Sequence, residues 1–431
     1  MRQQAYRARI FHLLDDPQSD VEAYQYFKDG LLVIEDGHVK AVGNFRTLVK
    51  TLRASTKINH YKNHLIMPGF IDTHIHFPQV DIMGSYGRQL MDWLNEYVFP
   101  TEMTFKDKKV CKRTAKFFID ELLRNGTTSA LVFGTVHEGS VDALFEQAQK
   151  RRMRLIAGKV LMDRNAPKEL LDGKDLGKAA TKRLIKKWHG KDRLGYAITP
   201  RFAPTSTPAQ LAMAGKLKAQ NPSVHVHTHM SENKAEIKFV KQLFPKSKDY
   251  LDVYESHGLV GDKTVLAHGI HVNASMCKRI SASGAAISLC PTSNMFLGSG
   301  LFNLARLRRH NVRHALGTDM GAGTRFSLIE TMNAAYSVCQ LKDMSLSSLD
   351  AYYMTTLGAA KVMGMDQQVG NFEVGKEADF VVLDLKSTPL IARRLKIAKR
   401  LKALLFAIMI LGDDRMIQET FVMGRSVYKK R

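Results

Sequence analysis

Apolar and polar positions alternate with a two-residue period in AYRARIFHLL (5–14) and YQYFKDGLLVIEDGHVKAVG (24–43), the pattern of half-buried strands. Asp-Gly pairs at 29–30 and 36–37 predict tight turns of the hairpin kind. The alternation returns near the other end, in GNFEVGKEADFVVLDL (370–385) and ETFVMGRSVY (419–428), with a basic amphipathic helix predicted over 388–410 between them. Neither terminal piece is long enough for a core of its own. Residues 1–66 and 370–431 are therefore expected to pack together as one composite β-sandwich module, split across the sequence.

From residue 67 to 369 the pattern changes. Short apolar runs (PGFIDTHIH, TTSALVFG, RLIAGKVLMD, RLGYAITPRF, SVHVHTHMS, TVLAHGIH, AAISLCPT and RHALGTD) alternate with longer stretches of helical period, which argues for parallel β/α units. Eight such strands predict an α/β fold, a closed (β/α)8 TIM barrel over 67–369, with the small module attached. No glycine fingerprint for a dinucleotide follows the first strand. In a barrel, chemistry gathers at the C-terminal ends of the strands.

Composition narrows the class. The 431 residues are 45% hydrophobic and 24% charged, as in a folded globular protein. Lys and Arg number 64 against 41 Asp and Glu, a net charge of +23, which favours encounters with polyanions. The cations are spread through helical-looking stretches without a nucleic-acid-binding motif or interleaved aromatics, so a basic solvated surface is expected and specific nucleic-acid binding is not. Cys111, Cys277, Cys290 and Cys339 lie far apart without C-x-x-C spacing, against a disulfide framework or thiolate zinc site. The first residues carry no apolar run before a cleavage site, and LLFAIMIL (404–411) is too short to span a bilayer. A cytoplasmic protein with no membrane partner is expected.

The strand ends hold the candidate chemistry. In Asp72-Thr73-His74-Ile75-His76 the strand period points His74 and His76 to one side. The fifth strand places His225, His227 and His229 on one face, with Glu232 just beyond. His229 lies nearest the mouth, whereas His225 and His227 are expected to hydrogen-bond lower in the barrel or to approach the substrate. The sixth strand ends in His268 and the eighth in Asp319. Three neutral imidazoles and one carboxylate suit zinc or ferrous iron with a coordination position left open. Such a metal acidifies water, and Glu232 and Asp319 are placed to move protons. The set predicts hydrolysis, including attack on a carbon bearing a nitrogen leaving group, without naming a substrate.

The MPGFIDTHIH strand, H-x-x-E on strand five, His on six, Asp on eight and the split β module resemble the amidohydrolase superfamily over nearly the whole chain. Dinuclear members usually present a lysine at the end of strand four; here that strand ends in TPRF, which implies the mononuclear deaminase type. Within the superfamily, HIHFPQ (74–79), MDWLNEYVFPTE (91–102), TPRF (199–202), HTHMSEN (227–233), CPTSNMFLGSG (290–300) and GTDMGAGTRFS (317–327) are similar to the guanine deaminases. That resemblance implies one zinc per chain, with iron as the alternative, held by His74, His76, His229 and Asp319. Glu232 would move protons and His268 would orient water or substrate, with Asp319 sharing the catalytic work. Gln79, Trp93, Leu94, Arg201 and Phe202 would form a purine pocket that His76, His227, His268 and Asp319 also border. The implied reaction takes guanine and water to xanthine and ammonia, in a homodimer; the alternative is a mononuclear amidohydrolase for another aminated heterocycle.

Residue chemistry agrees in part. Gln79 offers a donor and an acceptor, Arg201 only donors suited to a carbonyl, and Phe202 a stacking face. Leu90, Trp93, Leu94 and Tyr97 also match a helix stripe facing a core. Asn294 could serve a loop backbone or a ligand.

Overall fold

The computed structural model describes residues 3–87 and 89–430; Met1, Arg2 and Arg431, at the ends of the expected split module, lie outside the described residues. Strands β1 (Gln3–Leu13), β2 (Tyr24–Glu35) and β3 (His38–Asn44) form an antiparallel meander. Strand β4 (Ile58–Pro68) returns parallel to β1. Asp36 and Gly37 make the β2–β3 turn with φ +50° and +87°, the left-handed conformation that a two-residue hairpin loop requires.

Asp29-Gly30 makes no turn. Gly30 is paired with Ala8 inside the β1–β2 ladder, beside a register shift, and a Cβ there would stand 2.9 Å from carbons of Ile10 and Phe27. The glycine serves close approach, and Asp29 takes an ion pair from Arg7 across the strands (Nε to Oδ1 2.7 Å).

The chain then enters the barrel through β5 (Phe70–His76), β6 (Thr127–Phe133), β7 (Arg154–Gly158), the short β8 (Val160–Leu161), β9 (Leu194–Pro200), β10 (His225–Met230), β11 (Thr264–His268), β12 (Ala286–Leu289) and β13 (Arg313–Leu316). The ladders are all parallel, in the order β13-β12-β11-β10-β9-β7-β6-β5, with β8 on the upper end of β9. All eight expected strands are present. The seam between first and last strands is bridged by Thr73 Oγ1 donating to the Leu316 carbonyl (3.0 Å) and by the Asp319 amide donating to the His74 carbonyl (2.8 Å). The result is a (β/α)8 barrel.

Helices cover the outside by apolar stripes at helical spacing. In Lys108–Arg124, for example, Cys111, Ala115, Phe118, Ile119 and Leu122 are buried. Inside, the lower layer takes Ile71, Leu131, Ile156, Ala197, Val265, Ala286 and Ala315 from seven strands, and the helix Leu357–Val362 closes it from below. The remaining strand, β10, contributes His225, whose Nε2 bonds the Met363 carbonyl (2.9 Å). The bottom of the barrel is thus shut, and only the upper end is open for a site.

Strands β14 (Phe380–Asp384), β15 (Ile417–Val422) and β16 (Arg425–Lys429) complete the terminal sheet in the order β16-β15-β14-β4-β1-β2-β3. One face encloses Tyr6, Ile10, Leu32, Ile34, Ile66, Phe380, Val382 and Phe421, with Phe380 and Phe421 stacked at 4.3 Å. The other side contributes Leu65, Met67, Val381, Leu383 and Ile417 to the barrel's outer core. Where one helix was expected over 388–410 there are two, Pro389–Ile397 and Leu401–Leu411. The chain bends at Ala398 (ψ 85°), so Ile391 and Leu395 are buried from the first helix and Leu404, Leu405 and Ile408 from the second. No helix among the described residues is long and apolar enough to cross a membrane.

Ion pairs fasten the two parts. Arg193, buried at the start of β9, donates to Glu377 and Asp379 at 2.6 Å each, and Asp379 also accepts from the Met423 amide (2.9 Å). Removing one partner strands buried charge, which typically costs about 3–5 kcal/mol. Arg193→Ala is expected to lose stability in that range in denaturant unfolding; a loss below about 1 kcal/mol would mean that solvent reaches these carboxylates.

Candidate active site

Near its upper end the first barrel strand carries one residue more than its neighbour. Between Asp72 and Ile75 the β5 backbone advances three residues while β6 advances two, from Ala130 to Val132. Such a bulge re-aims side chains: Ile71 faces the interior below, yet His74 and His76 face it at the mouth. On β10 no such shift occurs, and alternation puts His225 at the bottom, His227 in the middle and His229 at the top.

His268, the last residue of β11, and Asp319, just beyond β13, have φ of +71° and +50°. Left-handed backbone at non-glycine residues costs of order 1 kcal/mol or more and persists where surrounding bonds enforce it. At Asp319 those bonds are visible. The buried Asp72 carboxylate accepts from the Thr318 amide (3.1 Å), the Thr318 hydroxyl (2.5 Å) and the His74 amide (3.1 Å), tying the last strand end to the first.

The side chains converge. Asp319 Oδ1 lies 3.1 Å from His74 Nε2 and 3.3 Å from His76 Nε2; His76 Nε2 and His229 Nε2 are 3.1 Å apart. Potential ligand atoms of His74, His76 and His229 all fall within 4.8 Å of one another, as do those of His74, His268, Cys290 and Asp319. All are buried.

Proton placement tells what this cluster can hold. His229 Nδ1 donates to the Arg201 carbonyl (2.7 Å) and His268 Nδ1 to the Asn294 amide oxygen (2.9 Å). A neutral imidazole that donates from Nδ1 carries its lone pair on Nε2, and both Nε2 atoms point into the cluster. Burial depresses the imidazoles, His76 to about 3 and His74 and His229 also downward, so they are neutral near pH 7. Burial alone would raise the Asp319 carboxyl, but the neighbouring His74, His76 and His268 hold it well below the usual range. His74 Nε2 and His268 Nε2 complete no hydrogen bond among the described residues. Neutral nitrogens facing one anionic oxygen, with buried lone pairs unmet, make a donor set for a divalent cation, and its chemistry fits zinc.

Glu232 stands beside this set. Its Oε1 accepts from Ser299 Oγ (3.3 Å) and its Oε2 lies 3.4 Å from His268 Nε2. Burial and the Asp319 charge push its carboxyl up to about 8. It can therefore hold a proton near neutral pH, as a general acid must.

Above the cluster is a cavity lined by Gln79, Leu90, Trp93, Leu94, Arg201, Phe202, Leu297 and Ala322 over His76, His229, Glu232, His268 and Asp319. Apolar walls with a few convergent polar groups suit a small-molecule ligand. Leu90, Trp93 and Leu94 reach the cavity together at ordinary helical spacing, and from Leu94 to Val98 the segment widens into a π-type turn, a distortion that often accompanies functional sites. Tyr97 packs instead against Trp93, ring centres 5.0 Å apart.

Of the two places expected for His227, lower in the barrel or beside the substrate, the structure has the lower one. It does not line the cavity; its Nε2 meets His74 Nδ1 at 2.7 Å, one layer below, where it orients a candidate ligand. Sequence reasoning missed Glu102, which binds Arg201 from behind, and did not resolve Asn294, which orients His268. Both lie in segments that carried the family resemblance, but only packing reveals their partners. Cys290, read only as a dispersed thiol, sits among the cluster; its Sγ bonds the Ser288 carbonyl (3.5 Å) and burial raises it strongly.

Comparison with known proteins places this arrangement. The profile of the Amidohydrolase family matches residues 65–427. A guanine deaminase of Escherichia coli K12 is 49% identical over 421 residues, covering 98% of this chain and 96% of that relative. The solved structure of E. coli guanine deaminase superposes with a TM-score of 0.97 at 48% identity, covering 99% of this chain and 100% of the other. A guanine deaminase structure from C. acetobutylicum, with guanine bound in its active site, gives 0.90 at 30% identity, covering 99% and 100%. With motif, fold and full-length similarity in agreement, the chain belongs to the amidohydrolase family and, within it, to the guanine deaminases.

Proposed function

We propose that the chain hydrolyses guanine to xanthine and ammonia in the cavity at the barrel mouth, with His74, His76, His229 and Asp319 holding one zinc ion. The observation that carries this reading is the stacking of a pocket that holds Gln79, Arg201, Trp93 and Phe202 on a buried three-imidazole, one-carboxylate cluster, with a proton-bearing Glu232 between them. The guanine deaminases to which it is similar support the choice of substrate.

Zinc in this set would lower the pKa of a bound water toward neutrality and leave a position open for it. The chain supplies the rest. Arg201 donates to the guanine carbonyl, Gln79 bonds the purine edge, and Phe202 and Trp93 wall the ring. Glu232 protonates the ring nitrogen next to the amino-bearing carbon, which makes that carbon electrophilic. Asp319 and Glu232 take up protons from the attacking water, and His268, fixed by Asn294, steadies the oxygen. As the tetrahedral carbon collapses, Glu232 passes a proton to the amino nitrogen and ammonia leaves. Guanine plus water is thereby balanced by xanthine plus ammonia. The four cysteines are free and buried, in keeping with action in the reducing cytoplasm.

Metal analysis of the purified protein is expected to find about one zinc or iron per chain, and His74→Ala or His76→Ala to abolish it. Two metals per chain would contradict the assignment. Glu232→Gln is expected to keep its metal and still bind guanine, while ammonia release falls at least about a hundredfold. Near-parental turnover in that variant would remove Glu232 from the proton path.

A further inference from the structure

Arg201 and Gln79 line the cavity, yet neither is free to choose its orientation. Behind them lies Glu102, with no exposed surface, on the helical segment that follows β5. Its Oε1 and Oε2 accept from Arg201 Nη1 at 2.8 and 3.0 Å. The Gln79 side chain lies beside the same carboxylate and, with Arg201, offsets part of the upward push that burial gives its carboxyl. Glu102 does not line the cavity itself, so it can reach a ligand only through these two neighbours.

The surroundings leave little slack. Phe99 sets its ring 5.7 Å from the Arg201 guanidinium carbon. From the opposite side, a Cβ added at Gly321 (φ +129°) would stand 2.0 Å from Gln79 Oε1, so the Gln79 amide is held between the Gly321 backbone and Glu102. A carboxylate accepts and never donates. It therefore turns the NH2 end of the Gln79 amide toward itself, and the second N–H of that group is the donor left over. Arg201, with Nη1 engaged, keeps Nε and Nη2.

We infer that Glu102 is a positioning residue for substrate selection: by holding Arg201 and Gln79 together, it makes this wall of the cavity a fixed array of hydrogen-bond donors that reads an acceptor oxygen on the heterocycle. This inference rests on the guanine reading above and adds to it the origin of the preference for a carbonyl over an amino group. An amino substituent in the same place meets donors only, and buried unmatched donors disfavour it.

The test compares guanine with 2,6-diaminopurine, which bears an amino group where guanine has the carbonyl, in the parent, Glu102→Gln and Glu102→Asp proteins loaded with metal. Glu102→Gln keeps the shape but can donate, which frees the Gln79 amide to turn and leaves Arg201 without its anion. The expected result is a rise in KM for guanine of at least about tenfold, kcat within about threefold, and a similar tenfold fall in the preference for guanine. Metal content should not change. Glu102→Asp, which keeps the charge, should recover part of the KM and part of the preference. A crystal structure of Glu102→Gln should show the Arg201 guanidinium displaced with His74, His76 and His229 in place.

Equal losses on both substrates, or an unmoved Arg201 with unchanged KM, would overturn the inference and leave Glu102 as a counter-charge for folding alone. If Glu102→Gln does not fold, Glu102→Asp decides: a KM-specific loss supports the role and parental kinetics with both substrates refute it. A parent protein inactive on guanine would sink the substrate assignment instead, and the crystallographic position of Arg201 would still decide on Glu102.

Discussion

Asp72 is a carboxylate with no solvent contact that accepts hydrogen bonds from the His74 amide and from the amide and hydroxyl of Thr318. Through it the last barrel strand is tied to the first at the height where two imidazoles and the Asp319 oxygen must meet. A parallel barrel already brings all its strand ends to one rim. The Asp72 bonds turn that general proximity into separations of about 3 Å between His74, His76 and Asp319. The left-handed backbone at Asp319 persists because these bonds over-determine it, and the β5 bulge that aims His74 and His76 into the mouth sits in the same few residues.

Burial then sets the chemistry. His74, His76 and His229 are kept neutral by burial, Asp319 stays ionised among them, and Glu232, one step farther out, keeps its proton. One low-dielectric pocket thus separates two carboxyl groups into different protonation states. The same pocket buries Arg201, whose charge is met by Glu102 at 2.8 Å. In the proposed reading the cavity floor serves the reaction and its wall serves selection, and both are built from buried charges that need a partner.

The barrel was legible because each of its strands is a short apolar run bounded by polar or glycine-containing loops, and because His74, His76, His229, His268 and Asp319 all fall at strand ends. What escaped the sequence was geometry without a local period. Asp29-Gly30 has the composition of a turn, but the glycine is needed to pass Ile10 and Phe27 inside a ladder. The basic stretch 388–410 keeps helical spacing across a bend at Ala398 that only packing demands. Trp93 and Leu94 lie on a stripe that reads equally well as core, and only the fold shows that the stripe faces the cavity. His227 shares its face with His229, and although depth placed His229 at the mouth, only packing shows that His227 meets His74. Glu102 pairs with a residue 99 positions away, beyond the reach of any pattern along the chain.

The central claim is that a single cation in the His74, His76, His229 and Asp319 set enables the chain to deaminate guanine. Titrating zinc into metal-stripped protein while measuring ammonia release from guanine tests it most directly. Activity is predicted to rise linearly and to level off at about one equivalent per chain, with xanthine formed in equal amount to ammonia. Full activity in the stripped protein, or a break at two equivalents, would contradict it.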